Sequence, residues 1–558
     1  MANPAYALVA TGEIQIPAVL LPTRLTNLRV LTPTEYLIIT TKTLWSEATR
    51  LANHRASAQG LTTAVVDIED LYNEFGYGMF DPPAIKRFLQ YTYTQWPVAP
   101  RFVLLLGDAN WDYRHNQPSE FRNDVPSYGA PVSDSWFVMF ESLGINVPTI
   151  PIGRLPVQSA AQAANVIDRI LAYEQGALNP RSKRVIVFGG GFTTPEINSI
   201  RAKNESWITQ YIAPWPFGGI AERLYKRLDG SATQEDAIRV EETLGQGAAW
   251  ISYTGHGATL QWDNGIVDPL QLLNDAGEAA IITDFSCSTA RFAEPDITAF
   301  GETSVMTPQN VSTAHLAMSG FGFLSYVQSI GDGLFQAALK DSVREVGLAL
   351  LKSKLRLASI TGATNSLTRM HMQQFTLIGD PAMPIRIGRR ADYAVHGADI
   401  TVEPVQPSTS DSTVSVTVPL FNYGLFDTSR SVVVKVESSV GGIPIHSAID
   451  TLAPFAYADT VGFVIPTGGQ GGVHRIEITI DPDGTLTEES VVNNQAISSV
   501  VVVASQIAAI APLQFETVGP NTVIRILQPV NQTIDGSSTV VIDTLPDFSS
   551  SWRQELVV

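Results

Sequence analysis

Two short stretches hold residue types suited to nucleophilic chemistry, Tyr253-Thr-Gly-His-Gly257 and Asp284-Phe-Ser-Cys-Ser288. The second contains the one cysteine among 558 residues. A thiol with a pKa near ~8.5 is mostly protonated at neutral pH, so a nucleophilic cysteine needs a neighbouring base to form the thiolate. His256 is that base if the two stretches meet. Each closes a run of apolar, β-prone residues, Ala248-Ala-Trp-Ile-Ser before the first and Ala279-Ala-Ile-Ile-Thr before the second. Neighbouring strands lie ~4.8 Å apart, and α/β folds gather ligands at strand C-terminal ends. Consecutive parallel strands therefore bring His256 and Cys287 to one sheet edge. The N–H groups of Gly257 and Cys287 would then form an oxyanion hole worth about 3–4 kcal/mol.

The plainer alternative is that an unpaired cysteine is usually an inert, buried small hydrophobe. The histidines argue against it here. Of the eight, His54 falls in a helical stretch, His115 follows an acidic turn, and His315 begins a strand. His371 sits in a late helix or loop, while His396, His446 and His474 lie in or beside a β-rich region. Only His256 ends a strand next to the one carrying the cysteine. A single cysteine also excludes an internal disulfide and a cysteine-based metal cluster.

The elements that must position the pair follow from pattern. Glu35–Thr41, Thr63–Asp67 and Arg101–Gly107 read as strands, the last an unbroken apolar run of the kind buried on both faces of a parallel sheet. Between them, Leu44, Ala48, Leu51 and Ala52 form one stripe of a helix stopped by Gly60, and Asp81-Pro-Pro opens another. A helix from about Ala160 to Tyr173 follows Ile152-Gly-Arg154. A second unit starts at Arg184-Val-Ile-Val-Phe188 and exits through Gly189-Gly-Gly191, which lacks the Lys and spacing of a phosphate loop. Helices over 197–212, 233–244 and 334–354 alternate there with strands near 222–228, 248–253, 279–284 and 314–319. From about residue 389 strict alternation takes over, as in Thr413-Val-Ser-Val-Thr-Val418, the pattern of a β-sandwich. The expected divisions are an irregular segment (1–34), a first α/β subdomain (35–180), a second carrying the dyad (181–388), an all-β sandwich (389–504) and the start of a further β domain (505–558).

A net charge of −18 disfavours nucleic acid and anionic membrane surfaces as partners. No apolar run reaches the ~18 residues of a membrane helix, and the N-terminus lacks a signal-peptide pattern. Oligomeric state is left open.

The order strand-His-Gly, spacer, strand-Ser-Cys resembles the caspase-like clan of cysteine peptidases, and the surrounding sequence resembles its gingipain family. The supporting stretches are Leu104–Asp108, Ser133-Asp134, Ile152-Gly-Arg154, Ala172-Tyr-Glu174 and Phe375–Pro381 besides the two above. The resemblance implies a caspase-like catalytic unit of two subdomains, each with its own helix-flanked parallel sheet, and a secreted cysteine endopeptidase acting on proteins or peptides through an acyl-enzyme. It carries Cys287 and His256 over as catalytic residues. Val418–Gly424 and Glu488–Asn494 resemble an Ig-like adhesion module of bacterial surface proteins, which implies an extracellular or cell-surface location.

The resemblance also suggests Glu196 as a third catalytic acid, and Arg201 (with Lys203 nearby), Ser319 and Tyr326 as pocket residues. Arg201 stands where arginine-specific members carry an acid, so an acidic P1 residue becomes conceivable; a solvated helix charge is the alternative. No cofactor is required for the chemistry. Structural calcium occurs in the family, with Asp108, Asp112 and Asp134 as candidate ligands. The same dyad would also serve a transpeptidase, and an inactive adhesion protein is the non-enzymatic alternative.

Overall fold

The computed structural model describes residues 25–503, apart from 31, 115, 118–122, 232 and 274–278, and short stretches beyond 507. Most of the 1–34 and 505–558 segments, and His115, lie outside the described residues. The chain forms two compact units: Met1–Gly176, Ile186–Asn204 and Arg223–Ile385 in one, Ala177–Val185, Glu205–Glu222 and Arg386–Val558 in the other.

The α/β part runs β1 (Tyr36–Thr40), α1 (Trp45–Gln59), β2 (Thr63–Asp67), α2 (Ile68–Phe75), α3 (Pro83–Gln95), β3 (Phe102–Leu106), β4 (Ile152–Leu155) and α4 (Ala160–Gln175). It continues through β5 (Arg184–Gly189), α5 (Thr194–Trp207), β6 (Ile220–Tyr225), α6 (Gln234–Gly245), β7 (Trp250–Thr254), β8 (Gly257–Ala258), β9 (Gln261–Trp262) and β10 (Ala280–Phe285). It closes with α7 (Phe300–Met306), β11 (Ser312–Met318), α8 (Leu324–Phe335), α9 (Val346–Thr361), α10 (Ser366–Gln374) and β12 (Phe375–Ile378).

Ten of these strands form one sheet in the order β2-β1-β3-β4-β12-β11-β10-β7-β5-β6, while β8 and β9 pair only with each other. This corrects the expectation of a separate sheet in each half. The join is β12, antiparallel to β11 and parallel to β4 through Ile378↔Arg154. Strands β1, β3, β7 and β10 are buried along their whole length, β3 as an unbroken apolar run and β7 and β10 with polar residues such as Ser252 and Asp284 buried among apolar ones. Gly60 ends α1 in the left-handed conformation (φ 69°), as its position after the apolar stripe requires. The expected 334–354 helix is two helices instead. Ser342, at φ 57°, breaks the run between α8 and α9, a conformation the 3.6-residue period cannot reveal. Asp81 does not cap α3 with its side chain, which pairs with Arg87.

Strands β13 (Tyr393–Val395), β14 (Thr401–Glu403), β15 (Thr413–Asn422), β16 (Val432–Val440), β17 (Ile443–Leu452), β18 (Ala458–Pro466), β19 (Gly472–Ile480) and β20 (Gln495–Val502) make two four-stranded sheets. Val414, Val416 and Val418 from one sheet share a core with Val432, Val434, Ile476 and Ile478 from the other. The alternating residues thus close a β-sandwich.

Candidate active site

Register sets the site. Strands β7 and β10 pair in parallel with Tyr253 opposite Asp284 and Thr254 opposite Phe285. The next residues of each chain, Gly255-His256 and Ser286-Cys287, therefore emerge side by side at the C-terminal edge. Gly257 begins the β8–β9 hairpin, in which Gly257 faces Trp262 and Ala258 faces Gln261. Asp263 donates its N–H to the His256 carbonyl at 3.0 Å. In an antiparallel ladder, bonded and non-bonded pairs alternate, so the Gly257 N–H turns away from the hairpin. A Cβ at 257 would lie 2.7 Å from the Cys287 carbonyl oxygen and closer still to Ser286 Oγ. Only glycine permits this approach, and it brings the Gly257 backbone onto the Ser286-Cys287 segment.

Cys287 is half-buried. Its Sγ lies 3.4 Å from the Gly322 nitrogen and 3.6 Å from the Gly322 oxygen. Among the described residues, no hydrogen bond joins Sγ to His256; catalytic contacts in a resting enzyme are often long and tighten with substrate. The following residue, Ser288, holds φ 61° and donates its N–H to Gly320 O at 2.8 Å. A non-glycine residue in that region costs on the order of 1–3 kcal/mol, so the surrounding turn must hold it in place.

His256 is held from two sides. Its Nε2 lies 2.7 Å from Glu196 Oε1, and the Phe192 ring stacks on it at 4.1 Å and 10°. Glu196 sits in the first turn of α5, where its other oxygen accepts the Phe192 N–H at 2.9 Å. Burial alone would raise its pKa, but the Phe192 N–H and His256 outweigh that and hold the carboxyl below its ordinary value. The triple glycine explains how α5 reaches the histidine. Gly191, at φ 119°, donates to Asp263 Oδ2 at 2.8 Å, and a Cβ at Gly190 would collide with Asp263 and Tyr253. The Tyr253 hydroxyl lies within hydrogen-bond reach of both Asp263 Oδ1 and the His256 carbonyl, and its one proton can serve either. A cleft of about 370 Å³ opens beside Phe192, His256, Gly257, Gln261 and Val267. The exposed rings of Phe192, Phe321 and Phe323 (64%, 77% and 52%) belong to the segments that touch His256 and Sγ.

A strand-borne thiol, a histidine on the neighbouring strand and a carboxylate behind that histidine are the parts of a cysteine hydrolase. Peptidase family C25 matches residues 29–386. The chain belongs to that family. It is thus a cysteine endopeptidase, a hydrolase of peptide bonds. The fold agrees. The structure described as the Arg-specific cysteine proteinase gingipain R (RgpB) superposes with a TM-score of 0.52 at 16% identity, covering 84% of this chain and 98% of that one. The complex of RgpB pro- and mature domains from Porphyromonas gingivalis gives 0.51 at 16% identity, covering 84% and 100%. No curated protein matches the chain.

In this C25 peptidase Cys287, His256, Gly257 and Glu196 come together; the other expected residues do not join them. Arg201 donates to the Lys226 carbonyl and lies 5.7 Å over the Tyr225 ring, while Lys203 pairs with Asp332 at 2.7 Å. Ser319 is buried, donating to Val132 O at 2.6 Å, and borders a separate cavity of about 350 Å³ with Trp111, Pro131 and Arg291. Tyr326 stacks on His371 at 4.6 Å. The three calcium candidates are engaged apart from one another. Asp134 pairs with buried Arg154 at 2.7 Å, Asp108 accepts from Ala109 and Gln158, and Asp112 accepts from Asn116 and Gln117. Among the described residues no group of three or more His, Cys, Asp or Glu is placed to hold a metal. Phe192 meets His256 and Asp263 meets Gly191 only across distant stretches of chain, which the sequence does not reveal. The one local signal was the triple glycine, which marks a close approach without saying to what.

Proposed function

We propose that the peptidase works through a Cys287–His256 dyad and a thioester acyl-enzyme. His256 takes the thiol proton, and the thiolate adds to the scissile carbonyl. The oxyanion that forms accepts the N–H groups of Gly257 and Cys287. His256 then gives its proton to the leaving amine, and the C–N bond breaks. In the second half, His256 takes a proton from water as the hydroxide adds to the thioester, and returns it to sulfur as the acid product leaves. Glu196, on Nε2, fixes the ring so that Nδ1 faces the thiol. The observation that carries this is the β7–β10 register with the Gly257 approach to Cys287.

The exposed phenylalanines point to apolar side chains beside the scissile bond rather than the acidic P1 residue that Arg201 suggested. We take the enzyme to act outside the cell or at its surface, as the gingipain resemblance implies. Among the described residues no helix is long and apolar enough to cross a membrane. A peptide library tests the proposal. Wild type should cleave peptides with apolar residues at the scissile bond, and Cys287→Ala should cleave none. Equal cleavage by both would remove Cys287 from the mechanism.

A further inference from the structure

We propose that Asp284 is a positioning residue that holds both halves of the oxyanion hole in register. The proposal rests on the roles given above to the Gly257 and Cys287 N–H groups. Asp284 is the penultimate residue of β10, with its side chain wholly buried. A carboxylate in such a place costs several kcal/mol unless its oxygens are satisfied. Both are, and by two significant partners. Oδ2 accepts the Trp262 indole N–H at 2.6 Å, and Oδ1 accepts the Ser286 hydroxyl.

Trp262 is the residue paired with Gly257 across the hairpin. Ser286 immediately precedes Cys287, and its Oγ occupies the space that a Cβ at 257 would need. One carboxylate therefore ties the strand carrying one oxyanion donor to the turn carrying the other. Behind it, His315 Nε2 lies 3.6 Å from Oδ2, buried and without a hydrogen-bond partner, while His315 Nδ1 meets Ser304 Oγ at 2.9 Å. The Trp262 ring is in turn clamped flat against Tyr253 at 4.3 Å and 9°. Asp284 touches neither the thiol nor the imidazole, so its effect should fall on the oxyanion alone.

Three readouts separate that role from general stability: kcat and KM for a cleaved peptide, inhibition by the matching peptide aldehyde, and alkylation of Cys287 by iodoacetamide. The aldehyde adds to the thiol and places an oxyanion-like oxygen in the hole; alkylation needs the thiolate but no hole. Asp284→Asn keeps the volume but offers an amide N–H2 to one of the two donors. It should lower kcat and aldehyde affinity together by about 10–100-fold, with KM and alkylation rate near wild type. Trp262→Phe, which removes one donor, should do the same, and the double variant should lose little more. If Asp284→Asn fails to fold, Trp262→Phe and Ser286→Ala carry the same comparison. Unchanged aldehyde affinity in the folded variants, or alkylation falling in step with kcat, would overturn the proposal. Failure of the dyad itself looks different: wild type would then alkylate no faster than free cysteine and cleave nothing.

Discussion

His256 is fixed on one edge by a carboxylate and on one face by a ring, which leaves it a single productive orientation. Glu196→Gln removes the charge behind it and should lower kcat/KM by about 10–100-fold, with KM little changed. The same substitution has a stability signature. Because the Glu196 carboxyl is held below its ordinary value of 4.5, its ionised form adds stability above that pH, lost as pH falls through the folded value. Thermal melts should show wild type above Glu196→Gln at pH 7, with the gap narrowing as the solution is acidified below the ordinary value of 4.5. A gap that persists in acid would mean that the pair does not depend on the charge. Gly257 carries a sharper expectation. A methyl there meets the Ser286 hydroxyl and the Cys287 carbonyl. Gly257→Ala should therefore cost at least about 10²-fold in kcat; activity within a few-fold of wild type would deny that the two segments touch. Cys287 and His256 were legible because their residue types are rare and each closes an apolar run. Asp263 and Asp284 were not, since an acid at a strand end looks the same whether it caps a turn or joins two strands.

At the scale of elements, the sheet fixes the site, and buried charges beside it make the fold sensitive to pH. Asp108, after β3, and Glu302, in α7, are both buried. Burial pushes Asp108 up to about 7, and burial together with the charge of Asp108 pushes Glu302 well above the carboxylate range. Between the ordinary Asp value of 3.8 and about 7, the unfolded chain releases a proton that the folded chain keeps. Stability should therefore fall as pH rises through that window. Asp108→Asn should remove much of the fall, seen as a higher urea midpoint than wild type at pH 8 and none at pH 4; parallel pH profiles would refute it. Fully buried strands such as Phe102–Leu106 could be read directly, because a run with no polar break has one stable place. The turn at Ser342 and the insertion of β12 between β4 and β11 could not, because neither backbone handedness nor strand order leaves a periodic trace.

Across the whole molecule, the change from helical period to alternation near residue 389 correctly announced a β-sandwich, yet compactness follows a different line. Ala177–Val185 and Glu205–Glu222 cluster with the sandwich unit, where Phe426 donates its N–H to Pro216 O at 2.9 Å and Lys183 reaches the Phe217 carbonyl. Sequence cannot show this, since those segments carry ordinary α/β patterns. A chain cut after Gly388 should thus lose soluble, cooperative folding, read by circular dichroism melts and size-exclusion; a sharp melt with full peptidase activity would contradict it. Every step of the proposed mechanism depends on the Cys287 thiol being activated by His256. The most direct test is the alkylation rate of Cys287 by iodoacetamide at pH 7, in wild type and in His256→Ala. Wild type should react faster than free cysteine and His256→Ala should lose that advantage; a wild-type rate no greater than that of the free thiol would contradict the mechanism at its centre.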